Sequence, residues 1–289
     1  MKAQVLLPKI FNFPFTYNSK TEGKIGNLVE VPFGSKKEIG VIWKKNYLEP
    51  KGIKIKDITK KTDYSIDKKL IDFIEWFSIY NMVPIGLVLK MAIGNIDKFV
   101  RAKDNLVDIK KFNQKNYFLN KEQLKALKFL EKTENKFDVS VLQGTTGSGK
   151  TIVYFERLKN IIKKNKQALV LLPEIFLTND FKSRFEDFFG FEPAIWHSKI
   201  TLKQKRIIWK KVISNKIKIV VGARSALFLP FKNLGIIVVD EEHDASYKQD
   251  EGVIYNARDM AVSRASFEKI PIHLVTSVPS IETYNNIQN

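Results

Sequence analysis

Cysteine is absent from the 289 residues, and histidine occurs only three times. The first absence excludes disulfides and any thiolate zinc site within this chain, and it fits a reducing cytoplasm. No run of 18 apolar residues occurs, and no charged-then-apolar leader opens the chain. The expectation is therefore a soluble, unexported, cytoplasmic protein with no membrane contact. Internal repeats and low-complexity tracts are missing as well.

What is present is apolar mass and positive charge. A hydrophobic content of 44% can fill real cores, and the length suggests two or three domains. Lysine and arginine number 49 against 31 acidic residues, a net charge of +18. Such an excess favours a polyanionic partner, because neutralised phosphates release condensed counterions. A lysine-biased composition would give the same count, and the basic pairs Lys60-Lys61, Lys68-Lys69, Lys163-Lys164 and Lys210-Lys211 are scattered.

Three textures follow one another. Residues 1–58 are short apolar runs broken by Gly and Pro, which predicts a small β-rich domain. Within 62–100, Leu70, Ile71, Ile74 and Phe77 stand at helical spacing, and Pro84 opens a second helix. Two short helices about a tight turn make a small winged-helix-like module. Residues 101–116 are polar and charged and are assigned to a linker. From 117 to 289 apolar strands at 138–143, 168–172, 193–197, 217–221, 234–240 and 271–276 alternate with helical runs. That alternation predicts an α/β lobe with a parallel sheet covered on both faces.

Gly144, Gly149, Lys150 and Thr151 satisfy G-x-x-x-x-G-K-[ST], between the strand VSVLQ and a helix, with Thr145, Thr146, Gly147 and Ser148 inside the loop. Glycines let backbone N–H groups turn inward around a phosphate, and the helix N-terminus adds positive potential. Lys150 would reach the β- and γ-phosphates of ATP, and the Thr151 hydroxyl would ligate Mg²⁺. The strand LGIIVVD ends in Asp240, Glu241, Glu242 and His243. Asp240 would hold Mg²⁺ through water, and Glu241 would orient and deprotonate the attacking water. A simple phosphate-transfer kinase needs the first acid but not a second beside it. His243, after paired acids, is a candidate γ-phosphate sensor. His197 and His273 show no ligand-like spacing and are read as structural.

GTTGSGKT, LLPEIFLT (171–178), WHSKIT (196–201), the block 221–265 and PSIET (279–283) run in one order at helicase spacing. Together they resemble the primosomal protein N′ (PriA) family, the replication-restart DNA helicases of superfamily two. Upstream, VLLPKIFNFPFTY and VEVPFGSKKEIGVIW resemble that family's domain for the 3′ end of a nascent strand at a stalled fork. The resemblance implies a RecA-like lobe and assigns roles. Gln123 would read the adenine edge. Pro173, Glu174 and Thr178, with Gly222, Arg224 and Ser225, would line the single-strand path. Ser246 to Arg258, with Tyr247, Lys248, Gln249 and Tyr255, would couple DNA contact to hydrolysis, the aromatics stacking on bases. Thr16 and Tyr17 would contact the 3′ end. Other primosome proteins and single-strand-binding protein are partners implied by the same resemblance.

Three departures bear on these expectations. The family's S-A-T-P-S reads Thr276, Ser277, Val278, Pro279, Ser280 here, which removes a threonine hydroxyl at 278. The family's F-D-Y reads Phe15-Thr16-Tyr17, so the 3′-end pocket loses a charge. The chain also ends at Asn289, where the family continues into a second lobe with its arginines and into zinc-binding cysteines. The expectation is a partial, truncated or decayed form of an ATP-dependent 3′-to-5′ helicase; the alternative is a module that binds branched DNA without a motor.

Overall fold

The computed structural model of the chain describes residues 1–20, 23–44, 55–94, 117–133 and 136–288. Two compact units emerge, one of Met1–Asp104 with Phe228–Lys232, the other of Asn105–Leu227 with Asn233–Asn289. The linker expected at 101–116 lies outside the described residues.

In the first unit the short apolar runs become β1 (Lys2–Leu6), β2 (Phe15–Asn18), β3 (Asn27–Phe33), β4 (Lys36–Lys44) and β5 (Lys60–Ser65). They form one antiparallel sheet in the order β2-β1-β4-β3-β5. Residues at every second position, Ala3, Val5 and Leu7 with Val29 and Val31, build its core around Tyr17 and Ile42. Helix α1 (Lys68–Tyr80) starts at Asp67, whose carboxylate accepts the Lys69 N–H at 2.9 Å. It buries Leu70, Ile71, Ile74 and Phe77, the residues whose spacing predicts it. Pro84 precedes α2 (Ile85–Ile93). The Trp43 indole of β4 donates to Glu75 of α1 at 2.7 Å, and Phe228 meets Phe77 edge-on with centroids 5.1 Å apart. Because β5 pairs with β3, the sheet continues past residue 58, where the sequence suggested a boundary. Both helices cluster with that sheet.

The second unit carries the predicted alternation of strand and helix. Strands β6 (Asp138–Gln143), β7 (Gln167–Leu171), β8 (Ala194–Trp196), β9 (Ile219–Gly222), β10 (Leu234–Asp240) and β13 (Pro271–Thr276) pair in parallel, in the order β6-β13-β10-β7-β9-β8. Every residue of β7, β9, β10 and β13 is buried, as strands covered on both faces require. Helices α3 (Lys121–Glu131), α4 (Lys150–Lys163), α5 (Asn179–Phe189), α6 (Leu202–Ile213), α7 (Ala257–Glu268) and α8 (Ile281–Gln288) fill the connections. A two-residue antiparallel pair, β11 (Lys248–Gln249) and β12 (Tyr255–Asn256), precedes α7.

Phe181, Phe185, Phe188 and Phe189 of α5 pack with Val153 and Leu158 of α4 in one buried cluster. Each such ring contributes about 1.5–3 kcal/mol of burial. This rigid layer holds the sheet so that the loops after β6, β13, β10, β7 and β9 all leave its C-terminal edge, where ligands bind in open α/β sheets. Among the described residues no helix is long and apolar enough to cross a membrane.

Candidate nucleotide and nucleic-acid site

The glycine-rich turn joins the end of β6 to the start of α4. Gly149 sits at φ +83°, a left-handed conformation, and a Cβ there would stand 2.4 Å from the Gln123 amide nitrogen. The backbone conformation therefore favours glycine, while a Cβ would have to displace the tip of the Gln123 side chain. Lys150 folds back over the loop, donating to the carbonyls of Gly144 at 2.7 Å and Thr145 at 3.1 Å.

A cleft of about 410 Å³ opens beside the turn. Thr146, Gly147, Gly149, Lys150 and Thr151 line it from one side, Asp240 and Glu241 from the other, and Thr178 from a third. Gln123, Gly144, Thr145 and Ser148 do not line it. Gln123 belongs to a capping box: its Oε1 accepts the Asn120 N–H at 2.9 Å, and its Nε2 donates to Ser148 O at 3.0 Å. One N–H and one lone pair of the amide remain for an adenine edge.

Asp240 is nearly buried, 7% exposed, at the end of β10. Tyr154 donates to its Oδ2 at 2.9 Å and the Glu241 N–H to its Oδ1 at 3.0 Å. Burial outweighs these donors and pushes the carboxyl up to about 6. Such a destabilised carboxylate in a cleft is what a bound cation would relieve, so the donor set fits Mg²⁺. Among the described residues no three acidic or imidazole groups stand together as a metal cage. Glu241 adopts φ +51°, the strained backbone often found at active sites.

His243 Nδ1 lies 2.8 Å from Thr276 Oγ1, and that hydroxyl donates to Val278 O at 2.8 Å. With its proton committed to Val278, the hydroxyl can only accept at His243, so Nδ1 carries the hydrogen. Glu242, 1% exposed, points the other way. It accepts from Ser280 N–H at 2.8 Å, Ser280 Oγ at 3.1 Å, Thr283 Oγ1 at 2.9 Å and Arg258 at 3.3 Å. The acidic turn is thereby fastened to the start of α8 and to α7.

The residues expected along a single-strand path lie at the ends of β7 and β9. Pro173 is buried, while Glu174 is exposed and accepts from Ser198 at 3.0 Å. Thr178 caps α5 by accepting the Phe181 N–H at 3.2 Å. Gly222 is buried, Ser225 is exposed, and Arg224 donates to Lys248 O. That bond brings the β9 loop against the Ser246–Arg258 segment. Gln249 is spent on its own turn, donating to Glu251 O and Val253 O.

Base stacking by the two tyrosines is corrected by the structure. Tyr247 is 2% exposed, and its hydroxyl donates to Leu171 O at 2.9 Å and Asp240 O at 2.6 Å. Tyr255 is 4% exposed. Neither ring offers a face to solvent; Tyr247 closes the sheet edge beneath the acidic turn. In the other unit Tyr17 is buried too, donating to Pro32 O at 3.2 Å, while Thr16 remains half-buried.

The family model for DEAD/DEAH box helicases matches residues 120–285, more than half of the chain. The chain belongs to that family. A second model, the 3′ DNA-binding domain of PriA, matches residues 4–94. The chain is 41% identical over 296 residues to the Replication restart protein PriA of Rickettsia felis, covering 99% of this chain and 44% of that protein. It is 34% identical over 277 residues to the one from Helicobacter pylori, with 96% and 42% covered, and 36% identical over 250 residues to that of Bacillus subtilis, with 83% and 28% covered. The chain thus spans less than half the length of these relatives.

Two parts of the candidate site escaped the sequence reading. Tyr154 reaches Asp240 from a helix 86 positions away, which no local pattern signals. The Glu242 network was signalled only by Ser280, a helix-capping type before α8 whose Oγ accepts the Thr283 N–H at 3.2 Å.

Proposed function

We propose that this chain is the DNA-reading and nucleotide-binding part of an ATP-dependent 3′-to-5′ DNA helicase acting at stalled or branched replication forks. The observation that carries the reading is one cleft with a phosphate-binding lysine on one wall and the paired acids Asp240 and Glu241 on the other. Lys150 would exchange its two carbonyl partners for β- and γ-phosphate oxygens, and Glu241 would take the proton of the attacking water. Thr151 and Asp240 would hold Mg²⁺, whose charge neutralises the phosphates. His243, hydrogen-bonded to Thr276, would pass the state of the cleft to β13.

DNA is the partner this reading requires. It is supported by the net charge of +18 and by the match of residues 4–94 to a 3′ DNA-binding domain. Loading of other primosome proteins, contact with single-strand-binding protein and a cytoplasmic location belong to the same proposal, as does zinc in further parts of longer relatives. The alternative reading is a module that recognises branched DNA without productive hydrolysis. It is favoured by Val278, which replaces a hydroxyl with an exposed isopropyl group.

ATP hydrolysis by the chain, with and without forked DNA, separates the two. Turnover that rises with the fork and vanishes in Glu241→Gln supports the motor. Salt-sensitive fork binding without turnover leaves the module.

A further inference from the structure

Strand β6 stands at one end of the six-stranded sheet, paired with β13 on one side only. Just past β6, the Gly144 N–H donates to Thr276 O of β13 at 3.2 Å. Hydrogen bonding alternates along a parallel strand, so the N–H and C=O of Val139, Val141 and Gln143 point away from β13. Among the described residues these outward groups have no partner. Exposed edges are ordinarily blunted by lysine, proline or a bulge. The sequence of β6, DVSVLQ, holds neither lysine nor proline, and its register to β13 is unbroken.

A groove of about 770 Å³ follows this edge, between the end of α3 and helices α7 and α8. Phe129, Val139, Val141, Leu274 and Ile287 give it an apolar lining. Val139 is 43% exposed, and Phe129 and Ile287 are more than half exposed, although β10 and β13 are buried throughout. Apolar exposure beside an unpaired strand edge is the mark of an interaction surface. The charged residues of the lining are Asp138, Asp259, Glu282 and Arg258, with no lysine among them. Arg258 is spent internally: it bonds Asp259 at 2.8 Å and buried Glu242 at 3.3 Å, and lies 3.7 Å from Glu282. The rim is therefore acidic on a chain of net charge +18. Such a rim repels nucleic acid. It also repels the same edge of a second copy, whose acids would come against these.

We propose that β6 accepts an extended segment of a partner protein as a further strand, the segment alternating apolar and basic side chains. The backbone groups of Val139, Val141 and Gln143 supply the hydrogen bonds. Apolar side chains of the segment settle against Val141 and Leu274, and its lysines or arginines meet Asp259 and Glu282. About six residues run the length of β6, at roughly 3.3 Å per residue. This goes beyond the helicase reading, and it stands whether or not the cleft at Lys150 turns over nucleotide.

The test is a fluorescence anisotropy titration of the full chain with a labelled synthetic peptide of about eight residues alternating valine and lysine. A second peptide carries glutamate in place of lysine. Wild type binds the lysine peptide and leaves the glutamate peptide free. Val139→Pro removes one outward N–H, keeps the ladder to β13 and weakens binding about tenfold. Glu282→Lys weakens the lysine peptide by a similar factor and admits the glutamate peptide. No binding by wild type, or binding that both variants leave unchanged, overturns the proposal. If Val139→Pro fails to fold, amide exchange in wild type decides. Peptide-induced protection of the Val139, Val141 and Gln143 N–H groups supports strand addition, and its absence refutes it. A dimer of the chain that the peptide dissociates would give the groove to a second copy. Refusal of the peptide by the longer Rickettsia felis protein would give the groove to that protein's own later residues. Either result overturns the partner.

Discussion

The Tyr154 hydroxyl donates to the Asp240 carboxylate at 2.9 Å, joining α4, which grows from the phosphate loop, to β10, which ends in the paired acids. Asp240 is pushed up to about 6 by burial, and Tyr154 opposes that push. Tyr154→Phe removes the donor and raises the carboxyl further. The acid-side midpoint of Mg²⁺-dependent ATP binding should move upward with it. A titration of nucleotide affinity against pH checks it, and an unmoved midpoint would mean that the hydroxyl is only packing.

His273 on β13 is fully buried, and burial, joined by the charge of Arg157, holds it down to about 3. Its folded value lies below the unfolded 6.5. The unfolded chain therefore binds the extra proton. Stability is intact above 6.5 and is lost as pH falls toward 3, at about 1.4 kcal/mol per pH unit. His273→Leu removes this slope. Urea unfolding should show the variant gaining roughly 2 kcal/mol on wild type at about pH 5, relative to their difference at about pH 7.5.

Glu242 and Arg258 form an ion pair whose side chains are 0% and 9% exposed. Glu242→Ala leaves the guanidinium without its buried partner, and strips Ser280 and Thr283 of their acceptor. The expected loss is about 3 kcal/mol of unfolding free energy. Glu242→Gln retains an acceptor and should lose less. Equal losses in the two variants would assign the effect to packing.

Tyr247→Phe keeps the ring and removes the two bonds to Leu171 O and Asp240 O. Stability should fall by about 1–3 kcal/mol. Affinity for single-stranded DNA should not change, because the ring is buried already. A marked loss of DNA affinity in a folded Tyr247→Phe would show that the segment opens to present the tyrosine.

These tests divide along the line between what local sequence carries and what it does not. Strand positions were legible because parallel strands buried on both faces must be continuously apolar, and β10 and β13 occupy the expected residues. The glycine-rich turn was legible because glycine spacing and a following helix are one local device. The role of an aromatic residue was not, since a tyrosine that stacks on a base and one that closes a core have the same composition. Tyr17, Tyr247 and Tyr255 prove to be core. Glu242 looked like one more acid in a solvated turn, and only its partners 16 to 41 residues away reveal a buried hub.

The central claim is that the cleft between Lys150 and Asp240 binds Mg²⁺-ATP independently of the DNA-binding surface. Calorimetric titration of Mg²⁺-ATP into wild type and Lys150→Ala, each with and without bound forked DNA, tests it most directly. The account predicts binding by wild type, none by Lys150→Ala, and fork affinity preserved in both. Nucleotide binding that survives in Lys150→Ala, or fork affinity that disappears with it, would contradict the account.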